Sequence, residues 1–220
     1  MESAWETFES SAEKNFLDGL RCSFWPGWFE LRIQNILAEL HLENRATNGE
    51  GEPDFIVYCE THHLFNLEAT ILTAGSGASS VLSLPIPETG KPVIQDNDIC
   101  LRITTALSGK KSQIEKWTEN DDTNMLSVPI IVAISSAQFD YETNRGIANS
   151  QFELALYGKG VLTVPIEEGE PNIEFAYYAG RESMTNKNDS EIQLGLFHSQ
   201  EYRHISAVAY FPEGLLEYGN

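Results

Sequence analysis

The chain has 220 residues, of which 41% are hydrophobic, enough for one domain with a proper core. It carries 33 acidic residues against 14 basic ones, a net charge of −19. Most of such a surface repels nucleic acid, which excludes a simple DNA-coating protein but not an enzyme with one local basic groove.

The three cysteines, Cys22, Cys59 and Cys100, are odd in number and have no CxxC spacing. That pattern fits reduced thiols in a cytoplasmic chain. No signal peptide follows Met1, and no apolar run is long enough to span a membrane.

In chain order, Trp5 to Cys22 is helical in pattern, with Trp5, Phe8, Phe16, Leu17 and Leu20 on one stripe. A second helix is expected from Pro26, a residue suited to the first helical position, to about Leu42. Its Phe29, Ile33, Ile36, Leu37 and Leu40 share one sector, with Glu30 on the sector's edge. Glu43 to Glu52 is polar and reads as a loop.

Pro53 to Leu72, PDFIVYCETHHLFNLEATIL, reads as two strands joined by a tight connection. Folding about Thr61 sets Asp54 opposite Glu68. Opposed residues of an antiparallel pair lie roughly 4.5–5.5 Å apart at Cβ and point to one face. Two carboxylates so close repel unless a positive charge sits between them, and a divalent cation with a taste for hard oxygen ligands, Mg²⁺ or Mn²⁺, suits that place. Thr70 shares their face by alternation. An exposed hairpin can also carry two such acids as solvated surface residues. His62 and His63, adjacent in the connection, point in different directions and make a poor metal pair.

Thr73 to Asp98 is rich in Gly, Ser and Pro, a long connection in which Val81, Leu82, Leu84 and Ile86 suit an extended arm. Asp96 or Asp98 is the expected cap of a helix from Ile99 to about Thr118. With Leu107 at 0° and about 100° per residue, Ile103, Ile114 and Trp117 fall at about 320°, 340° and 280°. Lys110 falls at about 300°, inside that apolar stripe, and Lys111 at its edge. A lysine there either meets an acidic partner or snorkels its head into water. Arg102, Lys110, Lys111 and Lys116 make the one basic concentration of the chain, and the expected phosphate-facing surface.

Val128 to Ser135 is an apolar, β-branched run expected as a strand buried on both faces. Asn149 to Tyr157 reads as a short helix capped by Gly158. Val161–Ile166 and Ile173–Tyr178 are candidate paired strands, Gly180 to Glu191 a polar mobile stretch, and His204 to Phe211 a last strand.

The order Pro53-Asp54, a gap, then Glu68-Ala69-Thr70 resembles the PD-(D/E)xK nuclease superfamily, whose core is the restriction-endonuclease-like α/β fold, α-β-β-β-α-β. FELALYGKG and HISAVAYF are similar to segments of uncharacterised bacterial members, which extends the resemblance over about residues 27–211. It implies one domain over 1–220, with a helical appendage at 1–25, the core at 26–136 and additions at 137–220. It further implies a metal site of Asp54, Glu68, the Ala69 carbonyl and, from the first core helix, Glu30, loaded with Mg²⁺ or Mn²⁺. Thr70 stands where the family has a catalytic lysine, and a hydroxyl carries no positive charge. In some members that lysine comes from the helix after the Glu strand, where Lys110 and Gln113 lie. The implied activity is cleavage of nucleic acid, DNA more than RNA, with homodimers common. A different class of function is a catalytically inactive module of the same fold, an acidic surface that binds a protein partner.

Overall fold

The computed structural model describes residues 23–46, 52–75, 80, 96–119, 124–137, 151–167, 169–186 and 188–211. The expected helix of Trp5–Cys22 and the arm around Val81–Ile86 lie outside the described residues. The described chain is mixed α/β. It falls into two compact units, one within Met1–Leu72, Ala106–Gln138 and His204–Asn220, the other within Thr73–Thr105 and Phe139–Arg203.

The first unit is built on a five-stranded mixed sheet in the order β1-β2-β3-β4-β11. β1 is Glu43–Ala46, β2 Phe55–Cys59, β3 His62–Ile71, β4 Ile130–Ser135 and β11 Ala207–Phe211. The first three pair antiparallel, and β4 runs parallel to both β3 and β11. β4, IIVAIS, is an interior strand of the sheet, between β3 and β11, and almost wholly buried, as its unbroken apolar run predicts.

Helix α1, Phe24–Glu39, covers one face. Trp28, Phe29, Ile33 and Leu37 pack with Phe55, Val57, Leu67 and Ala133. The Phe29 and Phe211 rings meet edge to face at 5.3 Å, and the Arg32 guanidinium lies 5.6 Å over Phe211. Helix α2, Asp96–Glu119, supplies Leu107, Ile114 and Trp117 to the first unit, all buried. Its Lys110 and Gln113 reach Glu68. Glu68 alternates with Leu67 and Ala69 and so points away from α1. The layers are therefore helix, sheet, helix.

Several expectations shift. α1 begins two residues before Pro26 and ends at Glu39, so Leu40 is its C-cap and is 63% exposed rather than part of the stripe. Residues 43–46, expected as loop, form β1, because pairing with β2 overrides the poor strand propensity of Glu-Asn-Arg. The hairpin turn is Glu60-Thr61, with Glu60 at a left-handed φ of 55°. His62 and His63 consequently open β3 instead of lying in the connection. α2 starts at Asp96, so Asp98 is inside the helix and not its cap.

In the second unit, α3 (Gln151–Tyr157) ends at Gly158, φ 62°, as its sequence predicts. Cys100 packs with Met184, Ile192 and Leu194. β5 (Lys159–Thr163) pairs with β8 (Tyr177–Gly180), and β6 (Ile166–Glu167) with β7 (Glu170–Pro171). Ile173–Phe175 is a 3₁₀ turn rather than strand. The stretch expected to be mobile holds β9 (Ser183–Thr185), paired with β10 (Glu191–Gln193) and anchored by buried Met184 and Ile192.

Phe29 is 1% exposed. Phe29→Ala should destabilise the fold by about 3–5 kcal/mol, read as a lowered urea midpoint at unchanged slope. A loss under about 1 kcal/mol would contradict its place in the core.

Candidate active site

Two strands and the second half of α2 bring four side chains together. Phe55 pairs with Leu67 and Ile56 with Asn66, so Asp54, one residue before β2, lies opposite Glu68. The register shifts only beyond Val57, nearer the turn. Asp54 Oδ2 accepts the Ala69 backbone N–H at 2.7 Å. This bond fixes the carboxylate against the strand that carries Glu68.

Lys110 completes the group. Its Nζ donates to Asp54 Oδ2 at 3.3 Å and to Glu68 Oε2. Gln113, three residues on and thus on the same helical face, donates from Nε2 to Glu68 Oε1 at 3.3 Å. Both oxygens of Glu68 are thereby satisfied by α2. The lysine in the apolar stripe meets acids and does not snorkel: its side chain is 14% exposed, Glu68 is fully buried and Asp54 is 32% exposed.

The electrostatics follow from burial. Desolvation first, and the Asp54 charge second, push the Glu68 carboxyl up to about 8, against the lowering effect of Lys110. Burial alone would lower the Lys110 pKa, but Asp54 and then Glu68 more than offset it, so the ammonium is held more firmly than in water. The group therefore sets a firmly charged Lys110 beside a Glu68 carboxyl that gives up its proton less readily than an exposed one.

The other candidates lie apart. Glu30 is half-buried on α1, the helix over the opposite face. Among the described residues no group of three or more His, Cys, Asp or Glu side chains is placed to hold a metal ion, so Glu30 does not complete a three-acid cluster with Asp54 and Glu68. Thr70 is on the Glu68 face by alternation and half-buried. Lys111 turns to Glu115 at 3.7 Å along the helix, and Arg102 belongs to the second unit. The expected basic surface thus reduces, in the first unit, to Lys110, which faces inward, and to Lys111 and Lys116.

Asn66 is a residue whose role the sequence reading missed. It is fully buried, two positions before Glu68 on the same face. Its Nδ2 donates to the Met125 carbonyl at 2.7 Å, and its Oδ1 lies 2.9 Å from His63 Nε2. It fixes the 3₁₀ turn that leads from α2 into β4. The signal was an amide inside an otherwise apolar segment.

Comparison of the chain with protein-family models, with curated proteins and with solved structures gives no match.

Glu68 makes stability depend on pH. Between its ordinary 4.5 and about 8 the folded protein holds a proton that the unfolded chain has released. Its contribution is complete below 4.5 and is lost as pH rises through about 8. Against Glu68→Gln, which keeps the side-chain shape without titrating although its amide nitrogen can accept from neither Lys110 nor Gln113, the wild type should lose ground by roughly 1.4 kcal/mol per pH unit at most across that window. Urea midpoints of the two proteins between pH 5 and 8, the ends set roughly by that window, read this directly; parallel curves would refute it.

Proposed function

We propose that the chain is a metal-dependent phosphodiesterase of the PD-(D/E)xK superfamily, with a restriction-endonuclease-like core, acting on nucleic acid and on DNA rather than RNA. The observation that carries this reading is Lys110: an ammonium from the helix after the Glu strand touches both hairpin acids. Thr70 cannot supply that charge, and Lys110 can. The order of helix, three antiparallel strands, helix and parallel strand supports the same reading, and β1 answers as the third strand of the antiparallel set.

The donors suit Mg²⁺ or Mn²⁺. Two facing carboxylates and the Ala69 carbonyl are hard oxygen ligands, and Asp54 keeps a solvent-accessible side. When bound, the cation would supply a water of lowered pKa and counter-charge for the phosphate. The Ala69 N–H holds Asp54 in place. Gln113 orients Glu68, whose proton must leave as a cation enters. Lys110, released from part of its pairing, orients the attacking water and stabilises charge that develops on the phosphoryl oxygens. The surrounding −19 charge confines binding to the neighbourhood of Lys110, Lys111 and Lys116.

A second reading rests on the same lysine. Lys110 gives both acids a positive neighbour of the protein's own, as a structural counter-ion would in an inactive member of the fold. Calorimetry and cleavage separate the two. The nuclease reading expects saturable Mn²⁺ or Mg²⁺ binding that Asp54→Ala/Glu68→Ala abolishes. It expects plasmid nicking that either acid's loss removes, that Lys110→Ala slows roughly 100- to 1,000-fold, and that Thr70→Ala leaves nearly unchanged. Full activity in Glu68→Ala would sink it. Cation binding without any cleavage would favour the inactive module.

A further inference from the structure

The second unit carries a surface that the catalytic reading does not use. Val161, Ile166, Ile173, Phe175 and Tyr177 are each more than half exposed, Ile173 at 76% and Phe175 at 63%. Five large exposed apolar side chains within residues 161–177 are a concentration of the kind that marks an interaction site, whereas scattered single ones are not. Val161, Ile166 and Tyr177 belong to two small ladders, β5–β8 and β6–β7, each of two strands among the described residues, and Ile173 and Phe175 to the 3₁₀ turn that leads into β8. A two-stranded ladder buries little by itself. The outer edge of β8 has no third strand among the described residues, and an extended segment can add there through backbone hydrogen bonds.

Charge selects the occupant. Glu167 and Glu170 are direct cross-strand partners, an arrangement that repels. Glu174 lies between Ile173 and Phe175, and residues 161–178 contain no Lys, Arg or His. A second copy of this chain would set glutamates against glutamates on a body of charge −19, and nucleic acid would be repelled outright. We propose that this surface docks an extended, lysine- or arginine-rich segment of another protein with apolar side chains at alternate positions. The apolar positions would cover the exposed aliphatic and aromatic groups, and the basic ones would face the glutamates.

The test uses the full chain and a fluorescein-labelled peptide of alternating lysine and valine, followed by anisotropy at about 0.15 M salt. Binding should weaken roughly tenfold or more in Ile173→Ser/Phe175→Ser, which leaves net charge unaltered, and similarly in Glu170→Lys/Glu174→Lys. Leu40→Ser, an exposed apolar residue of the first unit, should leave it unchanged, and circular dichroism checks that each variant is folded. Equal affinity in the wild type and the serine variant would overturn the proposal, because the peptide would then be answering only to net charge. So would self-association of the wild type, seen by sedimentation, that the serine variant abolishes, since the occupant would then be a second copy.

Discussion

A carboxylate cannot be fully buried beside another carboxylate without either a cation or a proton, and this chain uses both. Lys110 lies against Asp54 and Glu68, and Glu68 holds its own proton well above the ordinary range. The cost of taking such charges from water is large. The geometry that offsets it draws on the hairpin of the sheet and on α2. The hairpin register sets the acids opposite each other, the Ala69 N–H fixes one of them, and Leu107, Ile114 and Trp117 seat the helix that delivers the lysine. Moving α2 by one residue would turn Lys110 about 100° away and leave two acids with no counter-charge.

That dependence explains how much of the site the sequence showed. Two periodicities carried the information. Strand alternation about Thr61 put Asp54 opposite Glu68, and the wheel of the later helix put Lys110 within its apolar stripe. A charged residue at a core position is legible because only a partner makes it tolerable. The Asp54–Ala69 bond was not legible, since a backbone donor has no side-chain signature. The same wheel set Lys111 at the edge of the stripe, and the two lysines do face different neighbours: one the acid pair, the other Glu115.

The fold was legible where burial is two-sided and obscure where pairing overrides propensity. The run Ile130–Ser135 announced an interior strand. Glu43-Asn44-Arg45 has no strand-forming residue, and its ladder with β2 comes from the partner rather than from itself. The same holds for β9 and β10, where single buried residues, Met184 and Ile192, hold short strands in an otherwise polar stretch. At the other end of the scale, Val161–Ile166 and Ile173–Tyr178 read as paired strands, and β5 and β8 within them do pair, yet much of their apolar surface is exposed. Ile173–Phe175 became a 3₁₀ turn with all three residues exposed.

The edge-to-face contact of Phe29 with Phe211 joins the first described helix to the last described strand. A chain leaves the ribosome in order, so the α1 segment emerges well before the strand whose Phe211 covers part of its apolar face. The antiparallel hairpin can form early from near neighbours, whereas β11 must find β4 across the residues between 135 and 207. Until that strand arrives, the part of α1 that Phe211 covers lacks its cover from β11, and an apolar face left open in this way is where incompletely folded chains associate.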